Sequence, residues 1–422
     1  MTVSAFGGRR TAYHVALTCQ ERLILRKFFT TIYYKKRSFP YQLLDYFGGT
    51  IASKIKRQLS KRNLPGLAEE RVKTIPTIEV VSKFMTHLGL HDLTRQSIVS
   101  SWFDREVAAR IADCDIFYGY QNTSLNSAMK AKRLGARVVL EEVSGFLEEV
   151  AIIKEEYKKL HLPDYSRVET RTLNRILEKN SRELEVADYV VTFSNSGKRS
   201  LMKAGVPDEK ILVNPLGVSI RTFYPIKRFN KLDGSRTFRL LYVGTLCVRK
   251  GLHYLLEAVK QLNLPDTELW LIGILNPELR SMIGRYNEWC SYLGTVPNFE
   301  LSNYYNAASV FVLPSLYDSM GLVIYEAMAC GLPVIITENC GAKIRDGVDG
   351  FVVPIRDVDA LKKKILLLYQ DRKLRENMGR NASEYVRNFT WEGYRQRLAK
   401  ILMDIYIGKS ASQTASDPVQ CC

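Results

Sequence analysis

The stretch Val310 to Thr337, VFVLPSLYDSMGLVIYEAMACGLPVIIT, decides the fold. Val310 to Leu313 has the length and apolar composition of a buried strand, and Pro314-Ser315 break it. A polar loop runs to Met320. From Gly321 the apolar spacing becomes helical through Leu322, Tyr325 and Ala329. Gly331 and Pro333 stop the helix, and Val334 to Ile336 form a second buried strand. The unit is β-loop-α-β, and it carries two carboxylates: Asp318 in the loop, and Glu326 about one and a half turns into the helix.

This arrangement has chemical content. The first N–H groups of the helix, around Gly321, Leu322 and Val323, lack intrahelical partners and carry the positive end of the helix dipole. Gly321 allows a ligand close to the backbone, so a phosphate suits the position by charge and by hydrogen bonding. A carboxylate farther along, Glu326, can accept from a ribose diol. Asp318 could hold sugar hydroxyls on the other side of the phosphate. The ligand implied is a sugar, a diphosphate and a nucleoside, in that order.

A second unit points the same way. Phe238 to Val243 reads as a buried strand, followed by Gly244-Thr245-Leu246, then Arg249-Lys250-Gly251 and a helix from Leu252 to Leu262. Such a unit aims two cations and a helix N-terminus at one point. Cations are unfavourable at a helix N-terminus without an anion to meet, which favours a binding role for Arg249 and Lys250. Working outward, strand and helix alternate from Val99 to Val213 and again from Phe238 to Val386. Both halves are expected to be doubly wound α/β domains. Tyr120, Gln121 and Asn122 follow a strand end, where open α/β sheets place their crevices. So does the loop Glu141-Glu142-Val143-Ser144-Gly145-Phe146. Gly7-Gly8, between a short first strand and a helix, could meet an anion or sugar or form a plain tight turn. His14, inside that helix, reads as a packing or surface residue.

Composition bounds the rest. Apolar content of 46% and charged content of 25% are those of an ordinary globular protein, and no run of about eighteen apolar residues exists. A cytoplasmic location is expected, with peripheral attachment to the inner membrane face as an open alternative. The eight cysteines have no metal-like spacing, and no D-x-D pair stands in a metal-binding loop. The formal charge is +17. Residues 1 to 73 hold fifteen Lys and Arg against four Asp and Glu. A basic face suits an anionic membrane surface; a solvated surface competes, and a nucleic-acid partner is not expected because charge alone would support it. The basic aromatic stretch Tyr33 to Tyr46 could dock at a membrane interface or pack as a loop, and Lys54 to Leu64 reads as a basic helix.

The run Pro314-Ser315, Asp318, Gly321, Glu326-Ala327-Met328-Ala329, Gly331, Pro333-Val334-Ile335 resembles the motif of the retaining GT-B glycosyltransferases of the group 1 type, family four. Asp318 stands for the usual Glu and Met320 for the usual Phe. Asn214-Pro215-Leu216-Gly217-Val218 is similar to the family's domain border. The resemblance implies an N-terminal acceptor-binding Rossmann-like domain, 1–218, and a C-terminal nucleotide-sugar domain, 219–390. A helix at 391–407, with Thr390 as N-cap, would cross back, and 408–422 would be a disordered tail. It also implies a donor site of Gly244, Arg249, Lys250, Val296, Asp318, Gly321, Leu322, Val323 and Glu326. Of these, Arg249, Lys250, Asp318 and Glu326 would be catalytic. Gly7, Gly8, Tyr120, Gln121, Asn122, Glu141 and Glu142 would line the acceptor cleft.

The activity implied is sugar transfer with retention, without metal or cofactor, from a nucleotide diphosphate sugar to a glycan or lipid-linked acceptor. A UDP sugar is slightly favoured over a GDP sugar, and cell-envelope polysaccharide or glycolipid synthesis is the expected setting. Family members carry a His in the loop corresponding to 141–146, and here there is none. That absence and Asp318 keep open a catalytically impaired scaffold or sugar-nucleotide binder; an epimerase or phosphorylase on the same fold is a further alternative.

Overall fold

A computed structural model of the chain describes residues 1–7, 10–35, 59, 62–90, 92–141, 146–162, 170–226, 237–319 and 321–408. The basic segments 36–58 and 60–61, the stretch Glu142 to Gly145, and the terminal cysteines therefore lie outside the described residues, as does Gly8.

The first sheet is built from β1 (Thr2–Ala5), β2 (Lys27–Thr30), β3 (Val72–Thr74), β4 (Ile116–Tyr120), β5 (Arg137–Glu141), β6 (Tyr189–Thr192) and β7 (Ile211–Val213). All pairs are parallel, in the order β3-β2-β1-β4-β5-β6-β7. β1 is short and carries Thr2 and Ser4, yet all four of its residues are buried because it lies inside the sheet. Parallel strands covered on both faces by crossover helices have this character. The short strands β2 and β3 and the helix Thr77–His87 escape a reading by periodicity.

The second sheet holds β8 (Phe238–Val243), β9 (Thr267–Ile272), β10 (Cys290–Gly294), β11 (Val310–Leu313), β12 (Val334–Thr337) and β13 (Gly350–Val353). Its order, β10-β9-β8-β11-β12-β13, is again parallel throughout and matches the doubly wound 3-2-1-4-5-6 order. In both sheets the order reverses between the first and fourth strands, β1/β4 and β8/β11. A crevice opens at the carboxyl ends of such a pair because its crossover helices leave in opposite directions.

The two sheets are joined at two adjacent crossings. Val218 pairs with Thr390, and its N–H donates to Phe389 O at 2.8 Å. A Cβ on Gly217 would stand 2.3 Å from the Trp391 nitrogen, so the crossings touch backbone to backbone. The helix Trp391–Ile407 starts at Thr390, whose side chain accepts from Gly393 N, a standard N-cap. It returns to the first domain and buries Tyr394, Leu398, Ile401, Leu402 and Ile405 in that domain's core. The spacing is that of one helical face, and each aliphatic burial stabilises the return by about 1.5–3 kcal/mol. His14 is a packing residue, its ring stacked on Trp391 at 4.1 Å.

The helix Phe146–Lys159 belongs to the first domain in sequence but docks on the second. Ile152, Tyr157, Leu160 and Leu162 pack against the second domain's core. Glu156 accepts from His253 Nε2 at 3.0 Å, from Tyr254, and from Arg356 Nε at 2.8 Å. Burial raises the Glu156 pKa, but these hydrogen bonds outweigh it and hold it down at about 2.

Candidate functional site

The second domain's crevice is made by two loops that leave β8 and β11. After β8 the chain passes Gly244, makes a 3-10 turn at Val248–Lys250, and enters the helix Leu252–Leu262 through Gly251 at φ +65°. A Cβ on Gly251 would lie 1.9 Å from Pro314 O. Only glycine permits both that backbone angle and that approach. The contact clamps the β8 loop to the β11 loop, and Arg249 O reinforces it by accepting from Leu316 N at 2.9 Å.

The clamp brings together three of the residues expected at the donor site. Lys250 Nζ donates to Asp318 Oδ2 at 2.5 Å, with both side chains about nine-tenths buried. Arg249 donates through Nη1 to Tyr317 O at 3.0 Å. Burial opposes charge on Arg249, but the carboxylates of Glu149 and Asp318 raise its pKa above the usual value. Asp318 is also fixed along its backbone, its N–H donating to Asn339 O at 3.0 Å. A buried ion pair of this kind adds little to stability against an apolar pair, whereas removal of one partner leaves a costly lone charge.

Gly321, at φ +58°, is the N-cap of the helix Leu322–Ala329, and no side chain caps that end. A Cβ there would sit 2.7 Å from Ala342 N. Leu322 and Val323 open the helix half-buried, and Leu322 packs against the first domain's core. The donors of the first turn thus face the boundary between domains. Glu326 is 3% exposed and accepts from Tyr305 Oη at 3.1 Å, so it lies along the helix from the cation pair rather than in it. Val296 follows β10, on the same carboxyl edge of the sheet, and packs half-buried on the core.

On the first domain, Gly7 takes φ +70° in the turn after β1. Tyr120 and Gln121 are buried and Asn122 half-buried, with Asn122 at φ +69°. Glu183 holds that loop, accepting from Asn122 N at 2.6 Å and Ser124 N at 2.9 Å. Burial pushes the Glu183 pKa up to about 7, against the lowering pull of Lys179 and those backbone donors. Glu141, at the end of β5, is fully buried and accepts from Tyr118 Oη at 2.7 Å and Tyr394 Oη at 3.2 Å, so it ties the returning helix to the sheet. Period-2 alternation explains this: Val138 and Leu140 of β5 face one core layer, and Val139, with Glu141 next but one, faces the layer under that helix.

Two residues escaped the sequence reading. Ser194 Oγ, the N-cap of Asn195–Lys203, reaches Ser319 O across the domain boundary at 3.5 Å. Glu149, in the first turn of the docked helix, meets Arg249 Nε at 3.2 Å. A Glu in a first turn is what the helix dipole favours anywhere, so nothing local marked it.

Two facing Rossmann-like domains, a helix crossing back, and a cation-lined crevice at the second domain's switch point define a GT-B protein. Residues 225–385 match the family model of glycosyl transferases group 1. The chain is 31% identical over 234 residues to O-antigen chain mannosyltransferase B of Escherichia coli, covering 52% of this chain and 61% of that protein. It spans about half the length of the curated relatives it first matches, 61%, 52% and 44%. Sucrose-phosphate synthase from Thermosynechococcus elongatus has the same fold, with a TM-score of 0.64 at 18% identity over 97% of this chain and 100% of that one. Anabaena HepE, solved in complex with UDP, has a TM-score of 0.61 at 17% identity over 96% and 100%.

Proposed function

We propose that the chain transfers a sugar, with retention of configuration, from a nucleotide diphosphate sugar to a glycan or lipid-linked acceptor, in polysaccharide or glycolipid synthesis. The observation that carries this reading is the convergence of Arg249, Lys250, Asp318 and the open helix end at Gly321 on one crevice. The difficult step in such a transfer is departure of the diphosphate from an oxocarbenium-like centre. Two cations and a helix N-terminus, preorganised in a partly dry crevice, stabilise the charge that develops on the leaving group, by about 3 kcal/mol for each well-placed donor. In this reading they do so without a metal. Asp318 holds Lys250 in place and accepts from sugar hydroxyls once the donor enters. Glu326 takes the ribose after releasing Tyr305. A UDP sugar is the donor slightly favoured over a GDP sugar, supported by the UDP and UDP-glucose complexes of HepE.

The net charge of +17 supports peripheral association with an anionic membrane; among the described residues no helix is long and apolar enough to cross one. A non-catalytic sugar-nucleotide binder is the second reading, favoured by the absence of histidine between residues 141 and 146. Release of nucleoside diphosphate from a panel of UDP, GDP and ADP sugars, with and without EDTA, separates the two. The proposal expects EDTA-insensitive release from one donor and an axial-to-axial or equatorial-to-equatorial product by NMR. Tight binding without release from any donor or acceptor would establish the binder instead.

A further inference from the structure

We propose that Glu149 is a built-in competitor for the diphosphate at Arg249, reached across the domain boundary by the docked helix Phe146–Lys159. The inference rests on the donor-site reading above and adds a residue to it. Arg249 is held on one side by Tyr317 O, which comes from its own domain, and on the other by Glu149, which does not. Glu149 is more buried than its partner, its side chain 17% exposed against 30% for Arg249. The helix that carries it is fixed at its far end by the Glu156 cluster and by Tyr157 Oη, which donates to Glu278 at 3.1 Å. The carboxylate is thus presented to the crevice by a rigid element rather than by a wandering surface side chain.

Charge decides the consequence. Arg249 and Lys250 supply two positive charges, and Glu149 and Asp318 each neutralise one of them. A carboxylate on a guanidinium offers the acceptor geometry of a phosphate. An incoming diphosphate must therefore displace Glu149 or bind beside its negative charge, and either course weakens binding. When the nucleoside diphosphate leaves, Glu149 recaptures Arg249, which favours product release over product retention. Burial also raises the Glu149 pKa, in keeping with a carboxylate taken out of water.

The test compares wild type, Glu149→Gln and Glu148→Gln by calorimetric titration with UDP, GDP, ADP and inorganic pyrophosphate. Glu148 lies one residue away but pairs with Lys203, outside the crevice, so its variant controls for loss of one charge from the same turn. Glu149→Gln is expected to tighten the binding of one nucleoside diphosphate about tenfold and to slow its dissociation, with Glu148→Gln unchanged. Weaker or unchanged binding in Glu149→Gln would overturn the proposal. If no nucleotide binds any form but pyrophosphate binds Glu149→Gln more tightly than wild type, the donor reading fails and the Glu149 assignment stands. If neither nucleotide nor pyrophosphate distinguishes the variants, the assignment fails.

Discussion

The two switch-point crevices of this chain share a topology and differ in chemistry. At β8/β11 the loops carry two cations, one of them bonded to a buried carboxylate, and an uncapped helix end. At β1/β4 the loops bring a positive-φ glycine, two buried polar or aromatic residues and Asn122, held by a carboxylate from behind. On the proposed function, the difference follows from what each would recognise. A diphosphate imposes a fixed demand for charge and N–H donors, whereas a hydroxyl-rich acceptor can be met by many small polar surfaces. The same topology thus leaves a strong residue signature on one domain and a weak one on the other.

The comparison breaks most directly at Lys250. Lys250→Ala removes a charged contact to the diphosphate, worth about 1.5–3 kcal/mol, and turnover should fall at least about tenfold. It also leaves Asp318 buried without its cation, a situation that costs about 3–5 kcal/mol of stability, and urea unfolding should register it. Full activity with unchanged stability would remove the basis of the donor crevice.

Next comes the clamp between the two loops. Gly251→Ala must place a methyl group 1.9 Å from Pro314 O at a positive φ. Strain at such a position costs about 1–3 kcal/mol before the clash is counted. The urea midpoint should fall with an unchanged slope, and donor binding should weaken with it. Gly7→Ala, where a Cβ would meet nothing within 4 Å, should cost less, the φ strain alone.

The loop held by Glu183 and the domain junction held by Glu156 should also differ in their dependence on pH. Glu183 titrates near 7 in the folded protein, above its ordinary 4.5. Its contribution is present in full below the unfolded value and is lost as pH rises through the folded one. Glu156, held down at about 2, works in the opposite sense: its contribution is present above 4.5 and is lost as pH falls through 2. Thermal unfolding of Glu183→Gln should therefore flatten a decline in stability between about pH 5 and 7. Glu156→Gln should lower the melting temperature at neutral pH and lose that deficit in strong acid. The smallest effect is expected at Gln121. Gln121→Ala should raise the acceptor KM a few-fold and leave nucleotide affinity unchanged, which a bisubstrate rate analysis would resolve.

The architecture was legible where strands were apolar runs bounded by turn residues. Phe238–Val243, Val310–Leu313 and Val334–Thr337 are strands in both readings because their mostly apolar side chains suit a doubly covered parallel sheet. β2 (KFFT) and β3 (VKT) mix lysine and threonine with the apolar residues and show neither an apolar run nor a period, and their neighbours in the sheet hold them in place. The cation pair and Asp318 were legible because their chemistry has few other uses at a loop after a strand. The partners of Glu141 were not legible because a strand end specifies an edge of the sheet and not a face; one of them, Tyr394, lies 253 residues away. Glu149 was missed for the same kind of reason, since its partner Arg249 comes from the other domain.

The central claim is that the β8/β11 crevice binds a nucleoside diphosphate through Lys250. A calorimetric titration of UDP, GDP and ADP into wild type and Lys250→Met, with folding of both checked by circular dichroism, tests it most directly. The account predicts saturable binding of one nucleotide to wild type, at least about tenfold weaker in the folded variant. Equal affinity in the two proteins, or no binding to wild type, would contradict it.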